Sequence, residues 1–221
     1  MSIKDPGKSN SASGAPIGIM YLPDPNEDAM NTDTDAARAH VYSLLAVLLA
    51  TAPTADILDL LRRIDDPPDS PNRMANVWQQ LKSAGEKAHL SQLDEEYHRL
   101  FVGLGRGELI PYGSWYQAGF LMGKPLARLR SDLATLGIER RPGIKETEDH
   151  AAALLESMAI ICGPPDGFDA ETQRNFFNDH LAGWLYLFFN DLQQAPAARF
   201  YRAVGTLGEV FLELEKTYLD L

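Results

Sequence analysis

Four clusters in this sequence carry side chains able to do chemistry. The segment Lys145-Glu146-Thr147-Glu148-Asp149-His150 sets three carboxylates and an imidazole against an apolar helical pattern of Ala152, Leu154, Leu155, Met158 and Ile161. Thr147 reads as the cap of that helix, with carboxylates favourably placed at its electropositive start. His150 falls on the face of Leu154 and Ile161, so with its acidic neighbours it also reads as a ligand for a cationic or polar peptide group. Two Glu-x-x-His pairs, Glu86…His89 and Glu95…His98, have a spacing that supplies metal ligands in four-helix carboxylate sites. Such sites need the pairs on separate facing helices and a further Glu from each remaining helix. Here only Leu90-Ser91-Gln92-Leu93-Asp94 separates the pairs, so they read as solvated faces. The run Gly103-Leu104-Gly105-Arg106-Gly107 follows no strand and lacks the Gly-Lys-Ser/Thr ending of a phosphate loop, which leaves an inter-helix linker.

The single cysteine, Cys162, ends the apolar run from Met158 and reads as a buried, inert thiol. It excludes an internal disulfide and suits a reducing compartment. No nucleophile elbow, HExxH motif or Cys-His cluster occurs, so no catalytic residue, metal ligand or cofactor is assigned.

The elements that must hold these residues are helical. Apolar positions at i, i+3/i+4 and i+7 spacing begin near residue 34 with Ala37, Val41, Leu44, Leu45, Leu48 and Leu49. Helices are expected over 72–84, 90–101, 114–122, 125–136, 147–161, 170–190 and 195–219, with a short one opened by Pro53. The Pro-rich stretch 65–71 breaks the chain. Phe176 to Phe189 is apolar nearly all round, so Trp184 reads as core. Strand alternation is absent and β-branched residues are few. The expected fold is all-α, a single bundle of roughly 9–11 helices, with two helical halves meeting across the Gly/Pro-rich loop 102–113 as a variant of it. Residues 1–33, polar and rich in Pro, Ser and Gly, read as a flexible N-terminal tail ahead of a helical domain over 34–221.

Acidic residues outnumber basic ones by 31 to 20, a formal charge of −11 in 221 residues. That sign argues against a nucleic-acid binder and against adhesion to an anionic membrane. Residues 146–221 hold 13 acidic and 4 basic side chains and so carry most of the excess, either as solvated helix faces or as a surface steering a basic partner. The longest apolar stretch, 41–50, is too short to span a bilayer, and residues 1–16 contain no apolar core of a secretory signal. A cytoplasmic protein is expected.

Three motifs in order resemble one family. Glu96-Tyr97-His98-Arg99-Leu100-Phe101-Val102-Gly103 with Pro111-Tyr112-Gly113-Ser114-Trp115-Tyr116 resembles the signature of the TorD/DmsD family of redox-enzyme maturation chaperones. Glu146-Thr147-Glu148-Asp149-His150 resembles its Glu-Pro-Glu-Asp-His loop, with Thr147 in place of Pro. Asp179-His180-Leu181-Ala182-Gly183-Trp184 with Phe188 resembles its C-terminal His-Leu-x-x-Trp-x-x-x-Phe helix, with Gly183 where Pro is frequent.

The resemblance implies a cytoplasmic chaperone, not an enzyme. Its partners would be the twin-arginine signal peptide and apoprotein of a molybdenum-cofactor enzyme, retained until the cofactor is inserted. It implies that Glu148, Asp149 and His150 bind peptide, with Tyr112, Ser114, Trp115 and Tyr116 lining the same groove. Glu146 and Trp184 complete the candidate set. Carboxylates suit arginine forks, and an aromatic groove suits the apolar segment that follows them. A monomer or a domain-swapped dimer both fit. Two other classes compete with this reading: a metal-dependent oxidase built in a helical bundle, and an adaptor for an unrelated partner helix.

Overall fold

A computed structural model describes residues 19–21, 33–65, 72–104, 106–163 and 168–220. Among them ten α-helices follow one another: α1 (Asp33–Ala50), α2 (Ala55–Arg62), α3 (Arg73–Lys87), α4 (Leu90–Tyr97), α5 (Gly113–Ala118), α6 (Lys124–Thr135), α7 (Ala151–Ile161), α8 (Ala170–His180), α9 (Leu185–Gln194) and α10 (Phe200–Leu219). A π-helical turn, His98–Val102, continues α4. Among the described residues the fold is all-α apart from one antiparallel pair of three-residue strands, β1 (Ile19–Tyr21) and β2 (Ile138–Arg140). That pair falls where no strand was expected, and it draws three residues of the N-terminal segment onto the helical body. The remainder of 1–32, most of the Pro-rich break and Gly105 of the glycine run lie outside the described residues.

Local chemistry sets several helix starts. Thr54, Asn72 and Asp169 stand in extended conformation ahead of α2, α3 and α8, and each side-chain oxygen accepts a backbone N–H of the first turn. Burial then assembles the helices. The core runs from Ala39 in α1 to Leu219 in α10 and takes residues from both sides of the 102–113 loop, so the two halves share one interior. α1 lies against α7, and α10 lies against α9 and α3. At the α9–α10 crossing Gly208 leaves the space filled by Phe189, where a Cβ would come within 2.3 Å of the ring. The start of α10 is capped from a distance: the buried carboxylate of Glu96 accepts the backbone N–H groups of Arg199, Phe200 and Tyr201 at 2.8, 3.2 and 2.8 Å.

Several expected boundaries differ: α5 ends at Ala118 and not at 122, α10 starts at Phe200 and not at 195, and two further differences have a clear local cause. The apolar run 170–190 is not one helix, because the chain turns at 181–184 between α8 and α9. The Trp184 backbone N–H bonds the Leu181 carbonyl, and the indole N–H takes the His180 carbonyl that a continuous helix would have given to that backbone N–H. The helix expected from 147 starts instead at Ala151. Its cap is His150, whose Nδ1 accepts the Ala152 N–H at 3.1 Å, and not Thr147.

Candidate functional site

The three motifs, distant in sequence, meet at the start of α7. Residues 111–114 and 149–151 are stitched together by the backbone: Gly113 N–H bonds the Asp149 carbonyl and Ala151 N–H bonds that of Pro111, both at 2.8 Å. Tyr112 and His150 form an isolated antiparallel bridge, and their rings meet edge to face at 5.0 Å. The third motif supports this junction from below. Tyr116 lies 5.4 Å from Trp184, and a Cβ on Gly113 would come within 3.1 Å of the indole. A side chain at that position would crowd the indole by a few tenths of an ångström.

The three carboxylates of the loop have three different fates. Asp149 is 3% exposed and serves as an internal clamp. Its Oδ2 accepts the Ser114 backbone N–H at 2.9 Å and its Oδ1 accepts the Thr147 hydroxyl at 2.5 Å. Glu148 is nearly covered and bonds Arg130 Nε at 2.8 Å, with Arg140 Nε at 3.6 Å. Glu146 alone of the three is exposed, and its carboxylate accepts the Tyr112 hydroxyl. Arg140 also fixes that end of the loop, donating to the Glu146 carbonyl at 3.0 Å. Burial followed by the Glu146 bond raises the Tyr112 phenol far above its ordinary range, so it stays a donor.

Ser114 and Trp184, at 0% and 1% exposure, present no surface and act as supports. Tyr112, Trp115 and Tyr116 are half-buried. The Tyr116 hydroxyl donates to Asp191 at 3.0 Å, and the Arg106 guanidinium lies over the Trp115 ring at 5.0 Å. The candidate residues are therefore brought together, but they divide into presenters and supports. Arg130, Arg140 and Asp191 were not singled out from sequence. Nothing in their local spacing marks them, because each partner lies elsewhere in the chain.

His150 is 7% exposed. Burial pushes its pKa down to about 4, overcoming Glu146 and Asp149, which pull it up. The neutral ring is the form whose Nδ1 can accept the α7 cap bond. Its unfolded-state pKa, about 6.5, is the higher one, so as pH falls from about 6.5 to about 4 the unfolded chain takes up the proton first. Stability on the order of 1–3 kcal/mol is expected to be lost across that window. Denaturant midpoints from pH 7 to about 4.5 check this against His150→Asn, which keeps a cap acceptor and does not titrate. A wild-type profile no steeper than that of the variant contradicts it.

Elsewhere, Cys162 is buried, its thiol bonded to the Met158 carbonyl at 2.9 Å and its pKa pushed up to about 12, mainly by burial. The residues of both Glu-x-x-His pairs are exposed, and among the described residues no group of three or more His, Cys, Asp or Glu is arranged to hold a metal ion. Among the described residues no helix is long and apolar enough to cross a membrane.

Fold and junction together define an all-α protein that presents one exposed acid and a set of half-buried aromatics on a tightly clamped loop. Residues 67–190, more than half of the chain, match the family described as nitrate reductase delta subunit, and the chain belongs to that family. Its curated relatives bear out the resemblance to TorD chaperones. The chaperone protein TorD of Vibrio cholerae serotype O1 is 27% identical over 198 residues, 86% of this chain and 84% of the relative. That of Aliivibrio fischeri is 24% identical over 202 residues, 82% of this chain and 94% of the relative. A solved chain from Archaeoglobus fulgidus, provisionally described as a redox enzyme maturation protein, aligns over 87% of this chain and 99% of its own. Its TM-score is 0.49 and its identity 16%.

Proposed function

We propose that this protein is a maturation chaperone for a molybdenum-cofactor oxidoreductase and that it binds the client's twin-arginine leader on the cytoplasmic side before export. The supporting observation is the presentation of Glu146. It is an exposed carboxylate on a loop held by buried bonds, beside aromatic side chains, in a chain whose relatives are TorD chaperones. A leader's basic region meets that carboxylate as a charge-assisted pair. Glu148 is already satisfied by two arginines, so its part is to hold the loop. Asp149 and His150 position the same loop from inside. The leader is disordered before binding, and the ordering cost keeps the complex releasable, as delivery of a matured enzyme demands. Retaining the apoprotein until its cofactor arrives follows from occupying the export signal. The function is one of binding, with no reaction assigned to any side chain.

Calorimetric titration with a synthetic Arg-Arg leader peptide and its Lys-Lys counterpart tests this. The Arg-Arg peptide is expected to bind more tightly. Glu146→Gln is expected to weaken it by about two- to fivefold, the worth of an exposed ion pair, with helix content unchanged. Absence of binding to the Arg-Arg peptide, together with normal molybdoenzyme maturation in a deletion strain, removes the proposal.

A further inference from the structure

The first carboxylate of the acidic loop is held from β2. Of that strand's three residues Ile138 is buried in the core, while Glu139 and Arg140 face solvent. Arg140 reaches forward along the chain. Its guanidinium donates to the Glu146 carbonyl at 3.0 Å and stands 3.6 Å from a Glu148 carboxylate oxygen. Between them the chain turns through Gly143, at φ 88°, with a long backbone bond from Ile144 N–H to the Arg141 carbonyl at 3.4 Å. The place of Arg140 therefore helps to set where the Glu146 end of the loop lies. Among the described residues β2 has one strand partner, β1, with Ile19 opposite Arg140, Met20 opposite Glu139 and Tyr21 opposite Ile138. A two-stranded pair of this length is not stable alone. Here β1 also lies against α7 and β2 against α6, so the pair is seated on the helical body. The register sets β1 directly across from the arginine that holds the loop.

We propose that residues 19–21 are a positioning element of the leader site: by pairing with β2 they fix Arg140, and through Arg140 the loop that presents Glu146. The assignment rests on the leader-binding reading above. The route has three links. Backbone pairing joins β1 to Arg140, the guanidinium joins Arg140 to the Glu146 carbonyl, and the Glu146 carboxylate takes the Tyr112 hydroxyl. The other end of the loop is secured from inside, where Asp149 bonds Ser114 and His150 bonds Ala152. Glu146 is exposed and is tied through Tyr112 and Arg140, so its order depends on how firmly β2 is held. A carboxylate already held in one place pairs with an arginine more tightly than one that must be ordered in the complex. The N-terminal strand thus acts on the leader without touching it. A chain deprived of the β1 pairing keeps its helical fold and loses the contribution of Glu146.

The test is a titration cycle with a synthetic Arg-Arg leader across four forms of the full chain: wild type, Ile19→Pro/Met20→Pro, Glu146→Gln, and the combination. Ladder bonds alternate along a strand, so one of two adjacent prolines removes a donor to β2 whichever residue supplies it. Amide hydrogen exchange at 138–140 reads the pairing directly and is expected to be slower in wild type than in the proline variant, at equal helix content. That variant should bind the leader about two- to fivefold more weakly, as Glu146→Gln does, and the combination should lose little more. Arg140→Lys, which keeps the charge but gives up the fork, tests the second link and should weaken the leader in the same direction. Losses that multiply in the combination, or an unchanged affinity of Arg140→Lys, overturn the route to Glu146. Unchanged affinity of the proline variant overturns the positioning role, and tighter binding overturns it by making the segment a competitor of the leader. Exchange at 138–140 no slower in wild type overturns the pairing itself. Each of these results leaves leader binding by wild type standing, whereas failure of wild type to bind the peptide overturns both readings.

Discussion

Asp149→Ala is expected to lower stability by about 2–4 kcal/mol and to weaken leader binding at the same time. The carboxylate is 3% exposed, so removing it leaves the buried Ser114 N–H without a partner and frees the Thr147 hydroxyl. An unpaired buried donor costs more than the lost bond contributed, because in the unfolded chain water satisfies it. The Asp149 carbonyl continues to accept from Gly113, so the junction loosens without coming apart. For a chain of this size the loss corresponds to roughly 5–12 °C in melting temperature. Asp149→Asn keeps an acceptor for Ser114 and should lose less. Circular dichroism melts with a parallel leader titration read both effects. An unchanged melting temperature with lost binding would instead make Asp149 a direct peptide contact.

Glu215→Ala is expected to cost still more, about 3–5 kcal/mol. Glu215 in α10 is 2% exposed and accepts Arg38 Nε and a terminal guanidinium nitrogen at 2.7 and 2.8 Å, as well as the Tyr42 hydroxyl at 2.8 Å. Arg38 in α1 also bonds Asp35 and Gln173, each at 2.6 Å, and lies 4.3 Å over the Tyr218 ring. Burial by itself lowers the arginine pKa, yet the bond and charge of Glu215 outweigh it and hold the guanidinium firmly charged. Truncating Glu215 leaves that charge buried and underpaired, which is the costly way to break such a network. Arg38→Met/Glu215→Met removes both charges and is expected to regain part of the loss. Urea midpoints of the three proteins decide it, and a double variant no better than Glu215→Ala contradicts the account. The prediction also bears on the acidic C-terminal third. Glu215 is interior architecture, and Glu209 and Glu213 bond Gln193 and Arg73, so much of that charge serves the fold.

Most helices were legible as apolar spacing, because a helix that packs on one core must repeat its buried positions every three or four residues. Apolar spacing does not distinguish one helix from two where both geometries bury the same residues. From Phe176 to Phe189 the side chains are apolar nearly all round, so periodicity does not show the turn at 181–184, which depends on the Trp184 indole taking the His180 carbonyl. The α7 start was misplaced for a related reason. Thr147 and His150 both offer a capping acceptor, and the choice is made by residues 111–113, which pin 149–151 into a bridge and leave His150 at the cap.

The site was legible as three motifs and illegible as a division of labour. Glu146, Glu148 and Asp149 are the same chemical group within four positions of one another. The sequence by itself determined that this acidic loop would stand at the head of a helix, since carboxylates and a capping side chain precede an apolar repeat. Only the tertiary structure decided that Asp149 clamps, Glu148 pairs with arginines and Glu146 faces solvent. The physical reason is range. That a helix follows the acidic loop is settled by groups a few residues apart, whereas its first residue and the burial and partner of each charge are settled by segments that meet only when the core closes.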